Sequence, residues 1–248
     1  MMRHQLIIAY DGTSFGGWQT QKNSVAIQAL IEKALATVLR EPVSLFGSGR
    51  TDAGVHALGQ SAHFDTTASF ELKRLLLSLN ALLPPEIRLL DVQVVPEHFH
   101  ARYDAIGKIY HYRIHLHDTP DPFKRLYSYK LPYPIDLNLL HQGTAFFLGT
   151  RDFTSFANEA HEGSASKNAV RTLKRLDLIE EQGGIRLEFE GDGFLYKMVR
   201  NITGTLLDIA RGKYSIDSIP AMFAAKDRKQ AGSTAPALGL CLMQVLYP

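Results

Sequence analysis

Short stretches of the chain alternate between apolar and polar residues, and segments with an apolar residue every three or four positions separate them. Alternation with a period of two is typical of strands that have one buried face, and the longer spacing is typical of amphipathic helices. Ser24 is the expected N-cap of the first helix, and Pro84 ends the second. In the first half the pattern predicts strands over residues 5–10, 42–46, 60–64 and 87–95 and helices over residues 25–39 and 71–83.

The second half repeats this order of elements, with Asp136 as a possible N-cap. The pattern predicts strands over residues 108–117, 170–179, 184–189 and 238–246 and helices over residues 137–148, 195–211 and 218–225. Each half has the order β-α-β-β-α-β, which is ferredoxin-like. We therefore expect an α+β protein in pseudo-duplication, with a mixed, mostly antiparallel sheet flanked by helices. Its two ferredoxin-like (RRM-like) halves would be residues 1–106 and 107–248.

Two segments of the second half do not fit the repeat. Residues 118–134 contain four prolines, and residues 151–167 contain many small polar residues. Both are predicted to be loops, either binding loops or plain surface.

Composition narrows the class of protein. Hydrophobic residues make up 45% of the 248 residues and charged residues 21%, which favours a folded core over disorder. Cys241 is the single cysteine, so the chain has no internal disulfide. The start of the chain lacks a signal-peptide pattern, and no apolar run is long enough to span a bilayer. We expect a cytoplasmic protein. The net charge of +2 is too small to indicate nucleic-acid binding by itself.

The connection between the predicted strands at 42–46 and 60–64 combines glycines with polar side chains. Residues 47–57 read Gly-Ser-Gly-Arg-Thr-Asp-Ala-Gly-Val-His-Ala. A single aspartate in a glycine-rich turn ordinarily caps its own backbone. Here an arginine, a threonine and a histidine share the loop with Asp52, and this concentration favours a functional site with Asp52 as its acid.

Other candidate residues lie in the second half. Tyr110 and Tyr112 share one face of a strand and could form a platform for a stacked base, although strand aromatics more often belong to a core. Arg200 could hold Asp52 ionised and oriented, or could form a structural ion pair. The loop that contains Leu240 could line a pocket or only fix the C-terminus.

A metal site is not predicted. His115 and His117 share the strand face opposite to the tyrosines, but no third ligand follows at a suitable spacing.

Residues 49–56, followed by Gly59-Gln60, resemble the signature loop of the tRNA pseudouridine synthase A family. The resemblance covers essentially the whole chain. Its further blocks are residues 10–12 with 17–19, 99–102 with Tyr110, 152–156, 194–201 and 235–240.

This resemblance implies a pseudouridine synthase fold and the isomerisation of uridine to pseudouridine in the anticodon stem-loop of tRNA, at positions 38, 39 and 40 of the tRNA. It also implies a homodimer in which each tRNA touches both subunits. The reaction includes neither a redox step nor a hydrolysis, so no metal and no organic cofactor is expected.

The resemblance also implies roles for individual residues. Asp52 would be the nucleophile, attacking either the ribose C1′ or the uracil C6. Tyr110 would stack on the base and could take the C5 proton, and Arg200 would hold Asp52 as an anion. Arg50 would fill the space that the flipped uridine leaves or would grip a phosphate, and Leu240 would form an apolar wall.

Two residues depart from the family's pattern. Asp192 stands where many members have asparagine, which leaves the charge balance beside Arg200 open. Ser48 stands where a small apolar residue is common.

Two other classes of function are compatible with the element order or with Asp52. A non-catalytic RNA-binding protein built from two RRM-like units would need no acid, and the chain lacks a clear RNP aromatic pattern. A hydrolase that uses Asp52 on a phosphoester or glycosidic bond would need a metal cluster or a second carboxylate. The loop offers no acidic partner, and Asp65 lies beyond a strand.

Overall fold

The computed structural model describes residues 1–19, 24–119, 121–158 and 168–248. Position 120 and residues 159–167, which belong to the two predicted insertions, lie outside the described residues. The chain divides into two compact units, Met1–Ile106 together with Cys241–Pro248, and Gly107–Leu240. Across the described residues, no helix has both the length and the apolar character needed to cross a lipid bilayer.

The first unit has a sheet and two helices. Its elements are β1 (Met2–Tyr10), α1 (Ile27–Leu39), β2 (Phe46–Gly47), β3 (His56–Thr66), α2 (Leu72–Leu82) and β4 (Ile87–Val95). β1 lies between β4 and β3 and is antiparallel to both. β2 pairs with β3 through Phe46 and His63. This order of elements is the predicted ferredoxin-like one, and β4 has the predicted bounds.

Each helix of the first unit buries one apolar stripe. α1 buries Ile27, Ile31 and Leu35, and α2 buries Leu75 and Leu79. Residues four positions apart lie on the same face of a helix, so each stripe forms a continuous contact with the core. Burying each of these side chains fully stabilises the unit by about 1.5–3 kcal/mol.

α1 begins at Ile27 rather than at residue 25, and Ser24 is not its N-cap. The N-cap is Ala26, and no side chain caps the helix there. The Ile27 amide donates instead to the carbonyl oxygen of Gly17, at 3.2 Å. Because a backbone oxygen of the preceding loop satisfies this amide, the first turn does not depend on a polar cap residue.

The lengths of β2 and β3 also differ from the prediction. The strand expected over residues 42–46 is reduced to Phe46–Gly47, and the strand expected over residues 60–64 extends over His56–Thr66. Most positions of β3 are buried on both faces. Such a strand shows no alternation of apolar and polar residues, so the sequence pattern detected only its middle.

The second unit has five strands and three α-helices among the described residues. Its elements are β5 (Gly107–His115), β6 (Tyr129–Lys130), α3 (Leu137–Thr144), β7 (Gly149–Asp152), β8 (Val170–Glu181), β9 (Gly184–Gly191), α4 (Met198–Ala210) and α5 (Ile219–Ala225). The strand order β5-β9-β8-β7 is antiparallel throughout, and β6 pairs with β5 in parallel. Asp136 caps α3 as predicted, since its carboxylate accepts from the amides of Asn138 and Leu139 at 2.8 and 3.0 Å.

The last strand, β10 (Leu240–Leu246), pairs with β3 in parallel through Cys241 and His56. This pairing assigns residues 241–248 to the first unit, whereas the prediction included them in the half 107–248. The α+β class is confirmed.

The described part of the second predicted insertion is ordered rather than plain surface. Its first residues form the end of β7, and a short 3-10 helix follows over Thr154–Phe156. Phe153 and Phe156 are fully buried. These two aromatic side chains therefore contribute to the core of the second unit.

α4 is the most deeply buried helix of the second unit. It begins at Met198 rather than at the predicted residue 195, and Lys197 before it adopts a left-handed conformation with φ of +60°. All residues of α4 except Arg200 are buried. Arg200 consequently lies in the first turn of the helix.

Candidate active site

Asp52 lies in the first unit, in the connection of residues 48–55 between β2 and β3. Asp52 is half-buried, and Arg50 is exposed. The Val55 amide donates to the carbonyl oxygen of Asp52 at 3.1 Å, which closes a β-turn. Gly54 has φ of +78°, a value that suits glycine at the third position of such a turn. The turn therefore fixes the backbone of Asp52 on its C-terminal side.

Thr51 anchors the loop on the other side of Asp52. Its carbonyl oxygen accepts from the Trp18 amide at 3.1 Å, and its hydroxyl lies 2.8 Å from the Tyr10 hydroxyl. The exposed fractions of Thr51, Tyr10 and Trp18 are only 8%, 4% and 3%. Buried polar groups are costly to leave without a partner, so the residue before Asp52 has one strongly favoured position.

Gly17 allows a second segment of backbone to pack directly on this loop. Its φ is +100°, and a Cβ atom on Gly17 would lie 2.6 Å from the Thr51 carbonyl oxygen and 3.1 Å from the Asp52 carbonyl carbon. Real Cβ contacts are essentially never shorter than 3.0 Å. Only glycine therefore satisfies both the backbone conformation and the close approach.

The start of the loop is held by β3. The Ser48 amide donates to the Ser61 carbonyl oxygen at 2.7 Å, and the Ser48 hydroxyl donates to Gln60 Oε1 at 2.7 Å. Gln60 Nε2 donates to the Gly49 carbonyl oxygen at 3.0 Å. Ser48 is 1% exposed, and its hydroxyl bond to Gln60 gives a physical reason for serine at this position.

His56 closes the loop from the opposite end. Its Nδ1 accepts from the Gly12 amide at 3.0 Å and lies 3.2 Å from Asp11 Oδ1. An Nδ1 that accepts a hydrogen bond carries no proton, so in this state the contact with Asp11 is not an ion pair. The Tyr10-Asp11-Gly12 block of the sequence thus serves as the support of the Asp52 loop.

Tyr110 lies on β5, in the second unit, and is 8% exposed. Its ring meets the Phe194 ring edge to face, with centroids 5.1 Å apart and an interplanar angle of 81°. This geometry is favourable for an aromatic pair. Phe194 therefore holds the Tyr110 ring in one orientation.

Tyr112 has a structural role. Its hydroxyl donates to the Pro236 carbonyl oxygen at 2.8 Å, and a Cβ atom on Gly239 would lie 2.8 Å from its ring. Tyr112 is fully buried, and this burial raises the pKa of its hydroxyl. Of the two tyrosines on this strand face, Tyr112 anchors the loop that leads to Leu240, which is 6% exposed.

Arg200 is the half-buried residue of an otherwise buried helix, and the loop after α5 holds it. The Ala235 amide donates to the Arg200 carbonyl oxygen at 3.0 Å. Arg200 Nε donates to the Ala235 carbonyl oxygen at 2.8 Å. Ala235 thus fixes both the backbone and the side chain of Arg200.

Asp192 closes the end of the β8–β9 pair. Its amide donates to the Thr172 carbonyl oxygen at 3.1 Å, and its carboxylate accepts from the Thr172 amide at 3.0 Å. Asp192 is exposed. At this position, where the sequence departs from the family's pattern, the Asp192 carboxylate accepts a backbone hydrogen bond at the end of the β8–β9 pair.

Sequence reasoning did not identify the residues that support the candidate site. Tyr10 and Thr51 form a pair 41 residues apart, and Asn201 bonds to Thr234 across 33 residues. Tyr10 and Thr51 each belong to a block of the family resemblance, residues 10–12 and 49–56, and this was the available signal for the first pair. Nothing in the spacing of the chain indicated the second pair.

The first unit thus has a half-buried carboxylate, Asp52, on a loop with a fixed backbone. The second unit has a tyrosine and an arginine, Tyr110 and Arg200, that are each in contact with neighbouring residues. A family model described as tRNA pseudouridine synthase matches residues 6–104 and 145–248. The chain belongs to this family. Asp52 and Arg200 lie within the matched segments, and Tyr110 lies between them.

Curated relatives match over nearly the full length. A protein named tRNA pseudouridine synthase A 1, from Protochlamydia amoebophila, is 56% identical over 98% of this chain and 96% of its own. Proteins named tRNA pseudouridine synthase A are 44% identical in Exiguobacterium sibiricum, over 100% of this chain and 98% of theirs, and 42% identical in Acetivibrio thermocellus, over 100% of both.

Proposed function

We propose that this chain isomerises uridine to pseudouridine in tRNA, and that its target lies in the anticodon stem-loop, at positions 38, 39 and 40 of the tRNA. Membership of the tRNA pseudouridine synthase family supports the reaction. The structural observation that carries the proposal is the loop around Asp52, whose backbone is fixed on both sides by Thr51 and Gly54.

The reaction needs only groups that this chain supplies. Uridine and pseudouridine are isomers: the bond from ribose C1′ to N1 of uracil breaks, and a bond from C1′ to C5 forms. C5 loses a proton and N1 gains one, so no electrons enter or leave. The proposed reaction therefore requires neither an oxidant nor a reductant, and we propose that it uses no organic cofactor or metal ion.

Asp52 is assigned as the nucleophile. Its carboxylate bonds to ribose C1′ or to uracil C6, and either adduct lets the base detach, turn and rejoin through C5. A target inside a helical stack must first leave the stack, which costs a few kcal/mol. Arg50, which is exposed beside Asp52, takes the vacated space or binds a phosphate.

The other assigned residues orient the base and the acid. Tyr110, held edge to face by Phe194, stacks on the uracil and accepts the C5 proton. Arg200, which Ala235 holds at both its backbone and its side chain, keeps the Asp52 carboxylate ionised. Leu240, which is buried, forms an apolar wall beside the base.

Tritium release tests the proposal directly. Purified protein is incubated with tRNA that carries tritium at C5 of uridine, and tritium in water and pseudouridine in digested RNA are both measured. The proposal predicts release of tritium in step with pseudouridine, from an intact tRNA. Cleaved RNA without pseudouridine would favour the hydrolase alternative, and binding without either product would favour the RNA-binding protein.

The location and assembly of the protein follow from the same proposal. A tRNA-modifying enzyme works where tRNA matures, so we propose a cytoplasmic protein, which cell fractionation tests. We also propose a homodimer in which each tRNA contacts both subunits. Sedimentation equilibrium distinguishes this dimer from a monomer of 27.7 kDa.

A further inference from the structure

The loop of residues 231–235 lies directly against α4. A Cβ atom on Gly204 of α4 would lie 1.7 Å from the Ser233 carbonyl oxygen, and one on Gly232 would lie 2.5 Å from the Thr205 Cα atom. The Gly232 amide also donates to the Thr205 hydroxyl at 3.0 Å. Two glycines thus permit a contact between the backbones of this loop and the helix that carries Arg200.

Arg228 clamps this loop with its forked guanidinium. Nη1 donates to the Gly232 carbonyl oxygen at 2.8 Å. Nη2 donates to Asn201 Oδ1 at 3.0 Å and to the Thr234 hydroxyl at 2.9 Å. The Thr234 hydroxyl in turn donates to Asn201 Oδ1 at 2.7 Å. Arg228, Asn201 and Thr234 therefore form a closed triangle of hydrogen bonds, called here the Arg228 triangle.

Asn201 gives the Arg228 triangle a fixed orientation. Its side chain is fully buried. Nδ2 donates to the Phe156 carbonyl oxygen and to Asn158 Oδ1, each at 3.0 Å. With both amide protons engaged in this way, Oδ1 has to face Arg228 and Thr234.

The Arg228 triangle is linked to Arg200 in two ways, one through the chain and one through hydrogen bonds. Asn201 follows Arg200 in the chain, and Thr234 precedes Ala235, the residue that bonds to both the carbonyl oxygen and Nε of Arg200. A displacement of Thr234 therefore moves the acceptor that orients the Arg200 guanidinium.

Arg228 occupies this position at an electrostatic cost. All the acceptors described for it are uncharged oxygens. Its Nε is buried without a hydrogen-bond partner among the described residues, and burial lowers the pKa of its guanidinium. A charge that is buried without a carboxylate partner destabilises a fold. Its fork, which donates to four acceptors in fixed geometry, is a property that lysine lacks.

We propose that Arg228 is a positioning residue for the isomerisation: through the Arg228 triangle and Ala235 it sets the guanidinium of Arg200. This inference rests on the proposed function, which gives Arg200 its role. Arg228 touches neither substrate nor reacting atoms in this account. It acts only by keeping Arg200 in place.

The first test compares Arg228→Lys with Lys229→Met. The lysine variant keeps the charge and loses the fork, and the control removes an exposed cation at the next position. We expect Arg228→Lys to lower kcat roughly 10- to 100-fold, because small displacements of a catalytic group have effects of this size. KM for tRNA should change by less than about threefold, because the proposed role of Arg200 is to keep Asp52 ionised and not to bind tRNA. The control should keep the kcat of the unmodified chain.

Combining variants separates positioning from a general structural role. If Arg228 acts through Arg200, Arg228→Lys lowers kcat in the unmodified chain but not in an Arg200→Met background. An equal loss in both backgrounds, or no loss in either, would overturn the inference. Should Arg228→Lys fail to fold, Thr234→Val removes two sides of the Arg228 triangle and serves for the same comparison.

The same experiment distinguishes a failure of this inference from a failure of the proposed isomerase function. Full activity of Arg200→Met would remove the role of Arg200 and with it this inference. Tritium release by the unmodified chain would still stand as evidence for the isomerase.

Discussion

Two loops hold the charged residues of the proposed site, and they are fixed by different means. Residues 48–55 are fixed mainly by backbone contacts, where Gly17 lets one chain segment lie against another at Thr51. Residues 231–235 are fixed mainly by buried polar side chains, with Arg228 as the clamp. In both loops these contacts join residues far apart in the chain, but the first loop also contains its own glycines, Gly49 and Gly54, beside its polar residues.

The second loop also uses a buried carboxylate. Asp208 is fully buried and accepts from the Ser233 amide at 2.9 Å, from Arg211 at 2.6 Å and from Lys213 at 3.1 Å. Burial alone would raise the pKa of Asp208, but these hydrogen bonds and cations outweigh it and lower the pKa. The loop beside Arg200 is therefore held in part by charged side chains.

The largest effect is expected from breaking the backbone contact of the first loop. Gly17→Ala places a Cβ atom 2.6 Å from the Thr51 carbonyl oxygen, so the loop must move. We expect kcat for tritium release to fall about 100-fold or more, because Asp52 shifts with the loop. Steady-state kinetics and thermal unfolding of the same preparations measure the two effects.

Gly149→Ala is the matched control for this substitution. Gly149 has φ of +89°, similar to Gly17, and none of the described residues beyond its neighbours in the chain has an atom within 4 Å of its Cβ position. It should cost roughly 1–2 kcal/mol of unfolding free energy for the backbone conformation alone and leave kcat unchanged. Equal kcat values for both variants would show that the contact at Gly17 does not position Asp52.

A smaller effect is expected from removing either hydroxyl of the Tyr10–Thr51 pair. Thr51→Val and Tyr10→Phe each remove one partner of a buried hydrogen bond of 2.8 Å. Each should cost about 1–2 kcal/mol of unfolding free energy. In a double-mutant cycle measured by urea unfolding, the second substitution should cost less than it does alone. Strict additivity would mean that the two hydroxyls do not depend on each other.

The smallest expected effect is a pH dependence of the unfolding free energy. It compares His63 of the first unit with Asp208 of the second. His63, on β3 opposite Phe46, accepts the Ala101 amide at Nδ1 at 3.1 Å. Burial, with the nearby charges of His100 and Arg3, lowers the pKa of His63 to about 4. Protonation would have to occur at Nδ1, where it breaks the bond with the Ala101 amide.

The sign of the pH effect follows from linkage. Between the ordinary histidine pKa of 6.5 and about 4, the unfolded chain binds a proton at His63 that the folded chain does not. The unfolding free energy should therefore fall as the pH falls from 6.5 towards 4. For Asp208 the lowered pKa gives stability that is lost only below the ordinary carboxyl pKa of 3.8.

Urea unfolding between pH 7 and pH 4.5 measures this contrast. His63→Gln, whose side-chain oxygen can accept the Ala101 amide, should reduce the slope of unfolding free energy against pH, and Asp208→Asn should leave the slope unchanged. The slope that remains in His63→Gln is expected from His4, His100 and His111, whose pKa values burial also lowers. An unaltered slope in His63→Gln would contradict the account of His63.

The local sequence pattern predicted some strands and helices of the fold correctly and others only in part. β4 was predicted with its observed bounds because an apolar strand ends at a proline. β3 was detected only in part because it is buried on both faces and shows no alternation. The start of α1 was wrong because the carbonyl oxygen of Gly17 replaces the capping side chain.

The candidate site divides in the same way. The loop around Asp52 was identified from its residues because glycines and polar side chains stand next to one another. The Arg228 triangle was not identified, because its partners are 27 and 33 residues apart and each is unremarkable in its own segment. Local conformation is recorded in adjacent residues, whereas contacts between distant side chains require the fold.

The central claim is that the carboxylate of Asp52 performs the isomerisation. The most direct measurement is a single-turnover assay of Asp52→Asn with tRNA labelled at C5, together with the Kd of that variant for the same tRNA. The account predicts that tritium release is abolished and that Kd stays within about threefold, because the amide keeps the shape of the side chain but is not a nucleophile. Turnover of Asp52→Asn at a rate near that of the unmodified chain would contradict it.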